Sequence, residues 1–225
     1  MNEYKIMAYI ENDFKTKFGV PRQSGICNNV ISKIIFEPEF RVNEAFRGIE
    51  QYSHLWILWQ FSQSVGKEWT PTVRPPKLGG NKRMGVFATR SPFRPNNIGI
   101  SSVKFEKIEF DKNLGPVLYV SGADLMNNTP IIDVKPYLPY TDCHTDATGG
   151  FSVNNKENLL EVVFKDNLLN FISEDKRQGL IEILQADPRP GYQDDDNRIY
   201  KMEFGNIEVH FSVKENTLTV CDITN

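Results

Sequence analysis

Cysteine and histidine are scarce in this chain of 225 residues, which contains three of each. Cys27, Cys143 and Cys221 lie far apart and form no C-x-x-C pair, so the sequence predicts neither a disulfide framework nor a zinc ribbon. The histidines are dispersed as well, and we expect no metal. A chain of this kind fits a reducing, cytoplasmic compartment.

Long apolar runs and glycine-rich phosphate loops are also missing. Nowhere do about 18 apolar residues follow one another, and residues 1–20 have polar and charged residues throughout, so neither a membrane span nor a signal peptide is predicted. Residues 79–82, GGNK, lack the Walker spacing, and no G-x-G-x-x-G sequence follows a predicted strand. A nucleotide-hydrolysing enzyme is therefore disfavoured.

Acidic residues are absent from one long segment, Trp69–Phe105, which we call the basic segment. Its five prolines and four glycines prevent a long helix and favour loops joined by short strands. Its basic residues are Arg74, Lys77, Lys82, Arg83, Arg90, Arg94 and Lys104. Cations on stiff loops without acidic neighbours suit an anionic partner, and nucleic-acid phosphate is the first candidate. A solvated, turn-rich surface is the alternative, and composition alone does not decide between them.

The net charge of the chain changes sign along its length. Residues 1–153 hold 18 basic against 15 acidic residues, a net of +3, whereas residues 154–225 hold 8 against 14, a net of −6. The composition around residues 141–157 also becomes polar, as in a linker. We therefore expect a mildly basic working domain over residues 1–150 and an acidic appendage over residues 151–225.

Short, β-branched and roughly alternating runs predict a mainly β fold. The most apolar run, Tyr52–Phe61, is too short for a membrane span and is expected to be a strand buried on both faces at the centre of the core. The other predicted strands of this part are Tyr4–Ile10, Val30–Phe36, Met84–Thr89, Ile98–Phe105, Val117–Ser121 and Ile131–Val134. Their spacing favours an all-β barrel or sandwich.

The appendage has the pattern of a small α+β domain. Apolar residues at helical spacing predict one amphipathic helix over Leu168–Leu184. Three predicted strands follow, Arg198–Phe204, Ile207–Val213 and Leu218–Ile223, with hairpin turns at residues 205–206 and 215–216.

A second candidate site lies in Gly122–Tyr140, where charged and phenolic side chains stand among apolar neighbours. Its members are Asp124, Asp133, Lys135, Tyr137 and Tyr140. Titratable groups in partly buried settings have perturbed pKa values, and acid–base groups are usually made in this way. The alternative is a turn at residues 127–128 with an ion pair between Lys135 and an aspartate that only holds loops together.

Several segments, in the same order along nearly the whole chain, closely resemble the TrmO (YaeB-like) family of S-adenosylmethionine-dependent tRNA methyltransferases. They are P-R-Q-S-G (21–25), E-A-F-R-G-I-E-Q-Y-S-H-L-W (44–56), the string W-x-P-T-V-R-P-P-K-L-G-G-N-x-R-x-G-V-F-A-T-R-S-P-F-R-P-N-x-I-G (69–99), G-A-D-L (122–125), T-P-I-I-D-V-K-P-Y-L-P-Y (129–140) and D-P-R-P-G-Y (187–192). The sequence departs from the family pattern at Asn97, where proline is expected, and at Asn127-Asn128, where Asp-Gly is usual.

The resemblance implies a small β-barrel domain that binds S-adenosylmethionine, a small C-terminal α+β domain, and a homodimer that completes the active site. The expected reaction is methylation of N6 of threonylcarbamoyladenosine beside the anticodon of tRNA, with threonine tRNA as the expected substrate. A binding module that senses S-adenosylmethionine or RNA without turnover is the alternative. Retained cofactor binding without methyl transfer would distinguish it.

By position, the resemblance also implies site residues. Those expected to bind the cofactor are Pro21, Arg22, Gln23, Ser62, Gln63, Arg90, Ile100, Asp124, Leu125, Met126 and Asn127. Arginine can pair bidentately with the cofactor carboxylate, for which Arg22 and Arg90 are the candidates. We assign tRNA contacts to Arg74, Lys77, Lys82, Arg83, Arg94 and Arg189.

For the catalytic role the sequence offers Asp133, Lys135 and Tyr137, which cluster in D-V-K-P-Y. The attacked nitrogen belongs to a urea-like group and is weakly basic, so it must be aligned with the methyl group and must lose a proton. Asp133 and Tyr137 are expected to accept that proton or to orient the nucleophile. Lys135 is expected to orient a carbonyl or a phosphate.

Overall fold

The computed structural model describes residues 4–152, 159–189, 195–196 and 198–224, and for Lys77 the backbone alone. The strands are β1 (Ala8–Glu11), β2 (Ile31–Phe36), β3 (His54–Gln60), β4 (Thr72–Val73), β5 (Met84–Gly85), β6 (Ile98–Asp111), β7 (Gly115–Ser121), β8 (Pro130–Pro136), β9 (Glu161–Phe164), β10 (Tyr200–Phe204), β11 (Ile207–Lys214) and β12 (Thr217–Thr224). The α-helices are α1 (Pro139–Asp142) and α2 (Glu174–Gln185). Short 3-10 turns occupy Pro38–Phe40, Asn43–Phe46, Ile49–Gln51, Ser62–Ser64, Pro76–Leu78, Val86–Ala88, Gly150–Ser152 and Leu168–Phe171.

Six strands close into a barrel in the order β1-β2-β7-β6-β3-β8, and every neighbouring pair is antiparallel. The mainly β prediction is confirmed, and the structure decides for a barrel against a sandwich. Closure removes the exposed strand edges that an open sheet would leave. The apolar side chains of the inner face fill the barrel as one core.

Strand β3 has one buried face, not two. Leu55, Ile57 and Trp59 point into the barrel and are buried, whereas Trp56 and Leu58 lie on the outer face and are half-buried. The prediction of burial on both faces was wrong because a barrel strand alternates between a filled interior and an outer surface. An apolar run alone does not distinguish the two situations.

The predicted strand Met84–Thr89 is largely a turn. Only Met84–Gly85 is extended, and it pairs with Thr72–Val73 in a two-stranded sheet separate from the barrel. The 3-10 turn that follows is closed when the Thr89 hydroxyl donates to the carbonyl of Val86 at 2.8 Å. The prolines around Thr72–Val73 limit the partner strand, because proline has no N–H for the ladder.

The C-terminal lobe, residues 159–224 in the described parts, contains a four-stranded sheet in the order β10-β11-β12-β9 with α2 against it. Both predicted hairpins are present. Strand β9 was not predicted; it pairs in parallel with β12, at the end of the chain. Helix α2 begins at Glu174 and not at Leu168, because residues 168–171 form a 3-10 turn.

The core of the C-terminal lobe includes side chains from the segment between β1 and β2. Phe14, Cys27 and Val30 are buried in the same cluster as Leu180 and Phe211. Helix α2 approaches this segment closely at Gly179, where a Cβ atom would lie 2.9 Å from the carbonyl oxygen of Asn29. The segment after β1 therefore belongs by packing to the C-terminal lobe, while the division at residues 150 and 151 stays a prediction.

Candidate functional site

Most of the side chains predicted to bind a cofactor meet at one end of the barrel. Because neighbouring strands are antiparallel, Ser121 lies opposite Ile31 and Gln60 opposite Ile98, so the same end receives three long connections. These connections are residues 12–30, 61–97 and 122–129. They contain every predicted cofactor residue except Ile100, although these residues are far apart in sequence.

Asp124 lies at the inner edge of this end. Its carboxylate accepts a hydrogen bond from the Ser101 hydroxyl, which in turn accepts one from Trp59 Nε1 at 2.9 Å. Burial raises the pKa of Asp124, while the Ser101 hydroxyl, the positive charge of Arg90 and the backbone N–H of Ser24 oppose that rise. A carboxylate in a partly dry setting binds hydroxyl or ammonium donors more strongly than an exposed one does.

Arg90 joins the basic segment to the segment after β1. Its Nη1 donates to Gln23 Oε1 at 2.6 Å, and Gln23 Nε2 donates to the carbonyl of Arg22 at 2.5 Å. The backbone N–H of Gly25 donates to the carbonyl of Gly122 at 2.8 Å. A guanidinium has five N–H donors, so Arg90 retains the capacity to bind a carboxylate.

Asn127 and Asn12 hold the connection after β7 in place. Asn12 Nδ2 donates to the carbonyl of Leu125 at 2.9 Å, and Asn127 Oδ1 accepts from the Asn12 backbone N–H at 3.0 Å. The side chain of Leu125 is buried in the barrel core and Met126 is half-buried. Asn128 has φ of 61°, a left-handed conformation that asparagine tolerates better than most residues and that glycine adopts freely.

The barrel end that receives residues 12–30, 61–97 and 122–129 is called the cofactor end, after the residues predicted there, and Arg22 connects it to the C-terminal lobe. Its Nη2 donates to the carbonyl of Asp187 at 3.2 Å and to that of Arg189 at 3.0 Å. The guanidinium of Arg189 in turn binds both carboxylate oxygens of Asp187, each at 2.9 Å. The Arg189 side chain is only 11 % exposed. Arg22 therefore braces the contact with the lobe, and the Arg189 side chain, engaged with Asp187, offers little surface to an RNA.

Ser62, Gln63 and Ile100 lie at the outer edge of the same end. Ser62 and Gln63 are exposed on the 3-10 turn that follows β3. Ile100 is exposed on the outer face of β6, opposite Leu58 of β3.

The predicted catalytic residues lie on the outer face of the barrel, along β8 and just after it. Asp133 is opposite Leu58, so it is two strands from Ile100, about 10 Å across the sheet. Lys135 Nζ pairs with Asp133 Oδ2 at 2.8 Å, and this contact raises the pKa of Lys135. Partial burial, followed by the neighbouring thiol of Cys143 and carboxylate of Asp142, raises the pKa of Tyr137. Tyr137 thus remains protonated near neutral pH and is suited to donate a hydrogen bond.

The basic segment is folded by its own hydrogen bonds. Asn97 Nδ2 donates to the carbonyl of Pro92 at 2.6 Å, a bond that proline at this position could not make. Arg94 Nη1 donates to the carbonyl of Thr89 at 2.7 Å, so Arg94 is a brace of the segment. Arg83 donates to the Thr72 hydroxyl at 3.0 Å. Five described basic residues of the segment are exposed to solvent: Arg74, Lys82, Arg83, Arg90 and Lys104. Of these, Arg90 binds Gln23 and Lys104 pairs with Glu106 at 3.0 Å.

Two predictions fall outside what the structure describes: the side chain of Lys77, and residues 190–192 of the D-P-R-P-G-Y motif. Within the described ranges, no three His, Cys, Asp or Glu side chains are grouped as a metal site would require. No helix among the described residues has the length and apolarity needed to cross a membrane.

Sequence reasoning missed the residues that support Asp124. Ser101 and Trp59 look like ordinary members of apolar strands, because only the pairing of β3 with β6 brings them together. One signal was present in Gly99, which lies opposite Trp59. A Cβ atom there would lie 2.3 Å from the indole ring, so glycine makes room for the tryptophan.

Comparison with known proteins agrees with this architecture. A tRNA (adenine(37)-N6)-methyltransferase of Escherichia coli is 38 % identical over 197 residues, which cover 85 % of this chain and 83 % of that protein. A Pseudomonas aeruginosa protein described as a candidate S-adenosylmethionine-dependent methyltransferase is 36 % identical over 213 residues, covering 91 % of this chain and 90 % of that one. A crystal structure of TrmO superposes with a TM-score of 0.82 at 30 % identity, with full coverage of both chains.

Two family models together span almost the whole sequence. The tRNA-methyltransferase O N-terminal domain matches residues 9–143, which include the barrel and the cofactor end, and the TrmO C-terminal domain matches residues 157–225. The chain therefore belongs to the tRNA-methyltransferase O family.

Proposed function

We propose that this protein transfers a methyl group from S-adenosylmethionine to N6 of adenine 37 in tRNA, and that this adenosine carries a threonylcarbamoyl group. The relatives named above support the reaction. The structural observation that carries the proposal is the cluster of Asp124, Arg90 and Gln23 at the barrel end that adjoins the basic segment. At the place where this barrel end adjoins the basic segment, a small cationic cofactor and an anionic tRNA can bind next to each other.

The side chains at this end fit S-adenosylmethionine. Arg90 has free donors for the amino-acid carboxylate, and the partly buried Asp124 can accept hydrogen bonds from an ammonium or from ribose hydroxyls. Arg22 is engaged with backbone carbonyls, so we assign it to the support of Gln23. When bound, the cofactor supplies an electrophilic methyl group on its sulfonium.

Exposed cations of the basic segment are proposed to hold the tRNA phosphates. Arg74, Lys82 and Arg83 have the required exposure, and Lys77 is included from its position in sequence. Arg94 and Arg189 are engaged within the protein and contribute by shaping the surface.

Asp133, Lys135 and Tyr137 are proposed to act on the nucleophile at the cofactor end of the second copy in a homodimer, because Tyr137 follows the end of β8 that lies away from the cofactor end of its own chain. Because the attacked nitrogen is weakly basic, alignment supplies most of the acceleration. The protonated phenol of Tyr137 suits the donation of a hydrogen bond to a carbonyl of the modified base. Asp133, hydrogen-bonded to Lys135, is the candidate to accept the proton that N6 loses.

The proposal includes three further elements: threonine tRNA as substrate, a cytoplasmic location, and a homodimer in which a second copy covers the outer face around Ile100 and β8. The exposed Ile100 lies on the same outer face as the Asp133–Lys135 pair, two strands away, and supports an interface at this place.

The test is methyl transfer from labelled S-adenosylmethionine into two tRNA pools, one from cells that make threonylcarbamoyladenosine and one from cells that cannot. We expect label in the first pool only, mapped to adenine 37 of threonine tRNA. Equal label in both pools would refute the requirement for the threonylcarbamoyl group. Cofactor binding without label in either pool would identify a binding module.

A matched pair of variants assigns the proton acceptor. Asp133→Asn should reduce the single-turnover rate about 100-fold, since general-base catalysis typically contributes 10²–10⁴-fold. Asp146→Asn, at an exposed aspartate beyond α1, should not change it. A normal rate in both Asp133→Asn and Tyr137→Phe would remove these residues from the mechanism.

A further inference from the structure

The basic segment exposes three large aromatic side chains whose purpose its cations do not explain. Phe87 is 72 % exposed, Trp69 48 % and Phe93 42 %. None of them belongs to either of the two hydrophobic cores. Because burial of an aromatic side chain is favourable, a cluster of exposed rings indicates a surface that another molecule covers.

The rings have a fixed arrangement. Trp69 and Phe87 are nearly parallel, with an interplanar angle of 22° and centroids 6.4 Å apart. The guanidinium carbon of Arg94 lies 5.9 Å from the Phe87 centroid, and the backbone N–H of Thr70 donates to the carbonyl of Phe93 at 3.2 Å. The hydrogen bonds that fold the basic segment therefore also hold these rings toward solvent.

The charges around the rings favour a nucleic acid over a protein. Arg74, Lys82 and Arg83 are exposed in the same segment, which contains no acidic residue. A twofold dimer that brought this surface against its own copy would oppose cations with cations. Exposed rings beside cations that track a phosphate backbone are typical of proteins that bind single-stranded nucleic acid.

We propose that Trp69 and Phe87 form a stacking surface for unpaired bases of the tRNA anticodon loop. This inference rests on the proposed function and adds to it a way to select the loop. In the stem, the faces of the bases are covered by their neighbours, so only loop bases can lie against the rings. The rings thus recognise unpaired bases, while the neighbouring cations recognise phosphate in stem and loop alike.

The experiment uses the full chain and two RNA probes without cofactor. One is an anticodon stem-loop with 2-aminopurine at a loop position, whose fluorescence falls when the base stacks, and the other is the same stem as a blunt duplex. Trp69→Ala and Phe87→Ala should each weaken stem-loop binding about tenfold, because stacking on a ring contributes about 1–3 kcal/mol per base. Both should change duplex binding less than twofold and leave the salt dependence of binding unaltered.

Two further variants separate stacking from loss of structure. Trp69→Phe keeps an aromatic face and should keep most of the affinity. Phe171→Ala removes a ring of similar exposure, 68 %, from the C-terminal lobe and should leave stem-loop binding unchanged.

Unchanged stem-loop affinity in Phe87→Ala, or an equal loss for stem-loop and duplex, would overturn the proposal. A change in the sedimentation of the free protein with no change in stem-loop affinity would identify a contact between copies and would overturn it as well. The proposed function can fail separately: a wild type that binds the stem-loop and quenches its fluorescence but transfers no methyl group retains the stacking surface and loses the reaction.

Discussion

The exposed loop cations of the basic segment and several cations of the C-terminal lobe differ in their surroundings. In the lobe, Lys176 pairs with Asp13 at 2.6 Å, Arg189 with Asp187 at 2.9 Å and Lys201 with Glu208 at 3.4 Å. In the described part of the basic segment, the exposed Arg74 and Lys82 have no carboxylate within 4.0 Å. Paired cations contribute to the packing of a lobe, whereas unpaired cations remain available to an external anion.

The two regions also differ in how their polar groups connect distant parts of the chain. Lys176 ties helix α2 to the segment after β1, and the carbonyls of Asp187 and Arg189 accept from Arg22 in that same segment. The lobe therefore supports the loop that carries Gln23, the partner of Arg90. The acidic appendage thus braces the cofactor end, while the basic segment contributes Arg90, which is proposed to contact the cofactor directly.

The largest effect is expected at Asp124, whose carboxylate accepts a hydrogen bond from Ser101 of the barrel and lies near the positive charge of Arg90 of the basic segment. Asp124→Asn should lower affinity for S-adenosylmethionine about 100-fold, because hydrogen bonds to a charged group contribute about 1.5–3 kcal/mol each. Isothermal titration calorimetry measures this change in affinity. Asp222→Asn, at an exposed aspartate of the lobe, is the control and should bind normally. Equal affinities in the two variants would mean that Asp124 only supports the fold.

The contrast in charge is tested by paired double variants. Arg74→Ala with Arg83→Ala should weaken binding of tRNA about tenfold or more and reduce the slope of log affinity against log salt by roughly 2, since each phosphate contact contributes about 0.9. Lys201→Ala with Lys214→Ala removes two cations from the lobe and should leave the slope unchanged. The comparison fails if both pairs flatten the slope alike.

A smaller effect is expected for the ion pair between the lobe and the segment after β1. Lys176→Met should lower the free energy of unfolding by about 1 kcal/mol, because the partly exposed pair is weakened by solvent. Urea denaturation measures this loss, and the salt dependence of tRNA binding should not change. A changed salt slope would instead show that Lys176 contacts the RNA.

The smallest effect is a pH dependence of stability that arises from Asp124. Its folded-state pKa is raised above the ordinary 3.8 by burial, so the protonated form stabilises the fold below pH 3.8. That contribution is lost as the pH rises through the raised pKa. Asp124→Asn stays neutral, so its stability relative to the wild type should increase across this window. A constant difference between the two proteins from pH 3.8 upward would contradict the assignment.

Much of the fold could be predicted because strand periodicity is local. The alternation along Val30–Phe36 reflects which side chains face a core, whatever the partner strand is. The failures have tertiary causes. Strand β9 is stabilised by parallel pairing with β12, the last strand of the chain. Residues Met84–Thr89 form a turn because the Thr89 hydroxyl donates to the carbonyl of Val86, three residues before it.

The sequence by itself determined the family, the β content, the acid-free basic segment and the candidate residues at the cofactor end, because all of these are properties of composition, local pattern and motif. Only the tertiary structure decided which of these side chains form hydrogen bonds or ion pairs within the protein. Closure of the barrel brings Ser101 and Trp59 to Asp124. Packing of the lobe engages Arg22 with the carbonyl of Arg189, and Arg189 with Asp187. The folding of the basic segment leaves Trp69 and Phe87 exposed. Such pairings depend on distances between residues that are remote in sequence, which no local pattern records.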